Sequence, residues 1–325
     1  MKRILSYNSA SLESLNNEGS KVKKKAAIAA MKVGDVKNEN EIRRTMYALL
    51  NTMAPLVRLR KGWTVLIKVN LCLLIGPETG GTVDPLLVEC LVDWLQERYK
   101  IKECIIAESD ATHLSADLAF QVLGWHERFS DKSGCHLLNL SKDEIIEVSV
   151  NGLHFRQLRM AKTYMEADYL ISFGKMKTHV EQKMSCIMKN QFGANPYRYK
   201  IKYHPFLKEA IYDMNKVRMP DFCLLDGLIG MERKGPVYGV PKIMGLLIAG
   251  TDAVATDVFC AQMMGIKPRR VPYLYLAMKK GLGTRDFDLL TPPLAKNLYR
   301  FASMPWYTAL AKRVVSLLQP RGEAM

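Results

Sequence analysis

Apolar and polar positions fall into blocks of two lengths, and the blocks predict alternating strands and helices. Residues 26–33 form a short apolar run of strand length. Glu39–Met53 then has helical spacing, with Ile42, Met46, Leu49 and Met53 on one face. Residues 63–70 are compact, β-branched and mostly apolar, like a parallel strand buried on both faces. A loop with Gly76, Gly80 and Gly81 leads to Asp84-Pro85, an N-cap followed by proline at the first helical position, and a helix runs to about Tyr99. Residues 103–108 predict a strand and 115–123 a helix. Residues 136–140 and 145–150 predict two short strands, and the Asn151-Gly152 turn into residues 153–155 predicts a hairpin. A buried strand follows at 167–173, ending in a polar loop from Gly174. Helices are expected at 184–192 and 205–217. A strand at 222–226, a Gly/Pro-rich loop to Pro241, a strand at 244–249 and a helix at 252–264 close the pattern, with Thr251 or Asp252 as the last N-cap.

This alternation predicts an α/β fold: a mostly parallel sheet with helices on both faces and a small antiparallel hairpin portion. The expected organisation is a basic N-terminal arm (1–24), an α/β domain (25–283) and a C-terminal helical extension (284–325). The last contains an amphipathic helix at 305–318, with Trp306, Leu310, Val314 and Leu317 on its apolar face. Such a helix would dock on its own domain, on a partner or weakly on an anionic membrane.

Composition changes this picture little. Of 325 residues, 48% are hydrophobic and 24% charged, an ordinary globular mix, and no apolar run is long enough to span a bilayer. The N-terminus has no secretory pattern, and the seven cysteines include no C-x-x-C pair, so a reducing, cytoplasmic setting is expected and a cysteine-bound iron–sulfur cluster is not. The net charge of +15 suits an anionic partner, although lysines spread along the chain also serve solubility. No nucleic-acid motif is present.

Candidate chemistry concentrates after four predicted strands, where ligands bind in open α/β sheets. The first strand end supplies Lys68 and Asn70, the second Glu108, Asp110 and His113, and the third Lys175, Lys177, Thr178 and His179 with Lys189 and Asn190 beyond. The fourth supplies Asp226 and Glu232. Lysines offer charge to carboxylate or phosphate, and a histidine transfers protons near neutral pH. Carboxylates with His179 would also suit a divalent cation, with Glu108, Asp110 and Asp257 as candidate ligands, but no fixed-spacing metal motif occurs. Asp257 fits bonding within its own helix as well. The stretch from Tyr197 to His204 interleaves aromatic and basic residues, a composition suited to clamping an aromatic anion or to a surface loop.

Several motifs occur in one order: Val65-Leu-Ile-Lys-Val-Asn70, Lys175-Met-Lys-Thr-His179, Lys189-Asn-Gln-Phe-Gly193, Asp226-Gly-Leu-Ile-Gly-Met231, Gly235-Pro236 and Ala249-Gly-Thr-Asp-Ala-Val-Ala-Thr-Asp257. This series resembles domain-of-unknown-function family 362 over about residues 25–283. The resemblance implies a shared α/β fold with a polar rim. It brings no established activity. Many members carry a ferredoxin-like segment with two cysteine clusters, which associates the family with redox chemistry; this chain lacks such clusters. Val69 stands where proline is usual, and Glu232-Arg-Lys replaces small residues before Gly235-Pro236.

The combined expectation is an enzyme acting on a small carboxylate- or phosphate-bearing molecule, in redox or biosynthetic tailoring. Lys68, Lys175, Lys177 and Lys189 would hold the anion, His179 would transfer the proton, and Asp226 would orient a partner or act as a second acid/base. The alternatives are a non-catalytic binder of an anionic cofactor or metabolite, and a basic protein associated with a membrane surface or nucleic acid.

Overall fold

The computed structural model describes residues 25–112, 114–295 and 298–302. The expected basic arm, the helix at 305–318 and His113 lie outside the described residues. The large sheet runs in the order β11-β1-β10-β9-β7-β2-β3-β4. Here β1 is Ala26–Lys32, β2 Thr64–Lys68, β3 Glu103–Glu108, β4 Cys135–Asn139, β7 Tyr169–His179, β9 Phe222–Glu232, β10 Val240–Gly250 and β11 Phe287–Leu289. Strands β4, β3, β2, β7 and β9 are mutually parallel, while β10 is antiparallel to both β9 and β1. A short β8 (Lys183–Ser185) folds back antiparallel onto the outer end of β7.

Two apolar clusters cover the two faces. On one, α1 (Glu39–Met53), α2 (Pro85–Tyr99), α3 (Ala116–Val122) and α4 (Trp125–Phe129) pack against Val65, Ile67, Ile171 and Phe173. On the other, α5 (Lys162–Glu166), α6 (Ile187–Phe192), α7 (Leu207–Val217), α8 (Ala253–Met263) and α9 (Pro272–Lys280) meet Leu66, Leu170 and Leu225. Successive residues of β2 and β7 thus point to opposite cores, which is why these strands read as unbroken apolar runs. The start of α1 is set by Asn38, whose side chain accepts from the Glu41 N–H, and its buried stripe includes Ile42, Met46, Leu49 and Met53. Asp84 and Asp252 cap α2 and α8 in the same way.

Three expectations are corrected. First, β5 (Ile145–Ser149) pairs not with residues 153–155 but with β6 (Gln157–Ala161). The N–H groups of Leu153, His154 and Phe155 all donate to the buried Asp213 carboxylate, at 2.7, 2.7 and 2.9 Å, so they are spent on α7 rather than on a ladder. Second, the segment Lys175–His179 is not a loop but the outer half of β7, and β9 likewise continues past Asp226 to Glu232. Third, the helix expected at 184–192 starts only at Ile187, because Lys183–Ser185 is drawn into β8. The sheet also continues past Gly283, through β11 on β1.

Replacing Asp213 by Ala strands three backbone donors in a buried position. A loss of about 2–4 kcal/mol is expected from urea unfolding. A change within about 0.5 kcal/mol would mean that water replaces the carboxylate without cost.

Candidate functional site

The carboxyl ends of β2, β3, β7 and β9 carry a layer of buried charge. Register sets the first contact: Lys175 on β7 lies opposite Asp226 on β9. The Lys175 Nζ donates to Asp226 Oδ2 at 2.7 Å, both fully buried. Asp226 also accepts from the Asp84 N–H at 2.9 Å and the Leu228 N–H at 3.0 Å. One carboxylate therefore joins β7, β9 and the start of α2. Burial, and then the Asp226 charge, push the Asp84 carboxyl up.

Lys68 at the end of β2 forms the second buried pair, 2.5 Å from Glu108 Oε1 at the end of β3. Glu108 also accepts from the Leu71 and Ser109 N–H groups, each at 2.9 Å. Asn190 on α6 donates to the Lys68 carbonyl at 2.9 Å and to Ser172 Oγ at 3.2 Å, fixing α6 across two strand ends.

Lys177 differs from both. Its side chain is 1% exposed, and its Nζ meets Asn70 Oδ1 at 2.6 Å, the Gly81 carbonyl at 2.8 Å and Cys72 Sγ at 3.2 Å. Among the described residues no carboxylate lies within 4 Å of it or of Lys189. The ammonium of Lys189 is pushed down to about 8 by burial, with the neighbouring Lys177 charge adding to the effect and Cys72 and Glu181 opposing it. The loop supplying Gly81 needs glycine beside it: Gly80 has φ +74° and approaches the Gly230 backbone so closely that a Cβ would stand 2.2 Å from its carbonyl oxygen.

His179 closes β7, and its Nδ1 accepts from the Glu181 and Gln182 N–H groups, both at 3.2 Å. Two converging donors make Nδ1 the lone-pair nitrogen and place the ring proton on Nε2. The single Thr178 hydroxyl proton is shared between the Met231 and Arg233 carbonyls, and Oγ1 accepts from the Gly235 N–H.

Lys68, Asn70, Lys175, Lys177, Asn190, Asp226 and Glu108 thus share one layer, while Glu232, Asp110 and Asp257 have separate partners. Glu232 pairs with Lys242 at 2.9 Å and accepts from the Ala302 N–H, on the hairpin side. Asp110 accepts from the Ala116 N–H and from Asn139, at the start of α3. Asp257 lies fully buried behind α6 and accepts from the N–H groups of Ile187 and Met188 and from the Tyr273 hydroxyl. Burial pushes its carboxyl up to about 7 against those three donors. Glu108, Asp110 and Asp257 therefore do not converge, and among the described residues no group of three or more His, Cys, Asp or Glu is placed to hold a metal ion.

Sequence reasoning did not single out Cys72 or Lys200 as site residues. Lys200 donates to Ser109 Oγ at 2.9 Å and to the Asp110 carbonyl, and burial pushes its ammonium down to about 8. The basic-aromatic stretch was its signal; the missing information was that this stretch folds back onto the β3 end.

Five parallel strands covered on both faces, with a polar layer at their carboxyl ends, define an α/β protein with its candidate site on the strand-end rim. The model of the family described as "Domain of unknown function (DUF362)" matches residues 65–262, and the chain belongs to that family. The thylakoid-associated protein sll1697 of Synechocystis sp. (strain ATCC 27184 / PCC 6803 / Kazusa) is 30% identical over 145 residues, 42% of this chain. The match spans 45% of that relative's length. Among solved structures, the lactate racemase apoprotein from Thermoanaerobacterium thermosaccharolyticum aligns with a TM-score of 0.43 and 13% identity, over 74% of this chain and 57% of that one. No helix among the described residues is long and apolar enough to cross a membrane.

Replacing Lys175 by Met leaves the Asp226 charge buried without its cation. A loss of about 3–5 kcal/mol is expected by chemical denaturation. A loss under about 1 kcal/mol would show that the pair behaves like an exposed ion pair.

Proposed function

We propose that the chain is an enzyme acting on a small carboxylate- or phosphate-bearing molecule, held at the rim by Lys177 and Lys189. The observation that carries this reading is the contrast among the lysines. Lys68 and Lys175 are neutralised by Glu108 and Asp226, whereas Lys177 is equally buried and among the described residues meets neutral oxygens and a thiol. Burying an ammonium without a counter-charge costs several kcal/mol, and an incoming anion offsets that cost.

In this reading Asp226 orients Lys175 and is not a free acid, since three donors already occupy it. Asn70 and Asn190 fix the floor of the site. His179 would act through Nε2–H, as a proton donor to charge developing on the bound molecule. Thr178 shapes the rim through its bonds to the hairpin carbonyls. The family's association with redox proteins favours redox or tailoring chemistry over other reaction classes.

A second reading, binding without turnover, draws support from the Asp226 carboxylate, which three donors already occupy. A small molecule that co-purifies, and stays unchanged with every candidate co-substrate, would favour it.

Sulfate tests the anion site, because its charge does not change across neutral pH. Sulfate is expected to raise the thermal unfolding midpoint of the wild type at pH 7. Since Lys189 is charged below about 8 and neutral above, the protection should fade as pH rises through that value. Lys177→Met should remove it. Equal protection in wild type, Lys177→Met and Lys189→Met would exclude these residues as the anion site.

A further inference from the structure

The surface around the outer end of β7 carries two exposed loops of the same unusual composition. One is the segment from Tyr197 to Phe206, in which Tyr197, Tyr199, Ile201 and Phe206 are all exposed, Tyr199 by 56% and Ile201 by 53%. The other is the β9–β10 turn and the start of β10, where Val237, Tyr238, Val240 and Ile243 are exposed, Tyr238 by 79%. Each loop presents two exposed cations, Arg198 and Lys202 in the first and Arg233 and Lys234 in the second, while Lys200 is turned inward onto Ser109 and the Asp110 carbonyl and Lys242 is paired with Glu232. Neither contains an Asp or Glu.

Both loops are pinned to one short stretch of chain. His204 Nδ1 lies 2.8 Å from Glu181 Oε1, and the Gly235 N–H donates to Thr178 Oγ1 at 3.3 Å. Thr178 and Glu181 are three residues apart in sequence, so the two anchor points lie within about 11 Å of each other. The loops therefore flank one end of the sheet, beside His179 and the buried lysines. Large exposed side chains scattered singly need no explanation, but eight of them in two adjacent basic loops do.

We propose that this end of the molecule docks on an anionic lipid surface, with the aromatic and aliphatic side chains of both loops entering the headgroup region and their cations meeting lipid phosphates. Tyrosine and aliphatic side chains beside Lys and Arg suit the membrane interface, where an apolar body and a polar tip are both satisfied. A polyanion such as nucleic acid would use the cations and the tyrosine rings but leave the exposed aliphatic Ile201, Val240 and Ile243 without a role. The rim site then faces the bilayer. The docking does not depend on the anion reading of Lys177 and Lys189.

The test is sedimentation of the full-length protein with vesicles of phosphatidylcholine mixed with phosphatidylglycerol, against vesicles of phosphatidylcholine alone. The wild type should pellet with the anionic vesicles at low salt and stay in the supernatant with the neutral ones. Tyr199→Ser with Ile201→Ser, and separately Val237→Ser with Tyr238→Ser, should each lower the partition coefficient about tenfold or more. All four positions are exposed, so circular dichroism and the unfolding midpoint should match the wild type. Arg233→Gln with Lys234→Gln should weaken binding and flatten its salt dependence. A wild type that never pellets overturns the proposal. So do serine variants that pellet like the wild type, which would place any contact elsewhere in the chain or make it purely electrostatic.

Discussion

The buried pair of Lys175 and Asp226 is the constraint on which the rest of the rim depends. Two opposite charges sit at fully buried positions of adjacent parallel strands, in register. Neither is tolerable alone, so each holds the other's strand in place. The remaining acceptor capacity of Asp226 goes to the first residue before α2 and to the backbone of β9. The Lys68–Glu108 pair repeats the arrangement two steps along the sheet, between β2 and β3. Two neutralised pairs therefore build the floor, and Lys177, held among the described residues by neutral groups, stands out against them.

These pairs also explain why the strands extend so far. A lysine-rich segment is expected to leave the sheet, because an ammonium costs too much to bury. Here β7 stays in the sheet for eleven residues because each lysine finds acceptors inside: Asp226 for Lys175, and Asn70 with the Gly81 carbonyl for Lys177. The extension carries Thr178 and His179 outward to meet the β9–β10 turn and β8. The hairpin tip and the basic-aromatic loop then gather around that end.

Much of the frame was legible from periodicity. The bounds of α1, the N-cap at Asp84 before α2, and the apolar cores of β2 and β7 follow from local pattern, since side chains facing a core repeat at the period of their backbone. The strand-end motifs also contain the residues that form the buried charged layer, Lys68, Asn70, Lys175, Lys177, Asn190 and Asp226. What local pattern missed were elements decided by a distant partner. Residues 153–155 resemble a hairpin arm, yet Asp213, some sixty residues on, takes their N–H groups. Asp257 resembles a metal ligand or a residue bonded within its helix, yet it caps α6 from across the core.

By itself, the sequence determined the α/β class, the two-faced burial of the central strands and the placement of polar residues at their carboxyl ends. These depend on the spacing of apolar residues and on capping by near neighbours, both local properties. Only the tertiary structure decided which charges cancel. Lys68, Lys175, Lys177 and Lys189 look alike in sequence, but among the described residues two have carboxylates at ion-pair distance and two do not. That distinction rests on strand register and loop return. Neither is written in the residue types, because electrostatic pairing depends on distance through space and not along the chain.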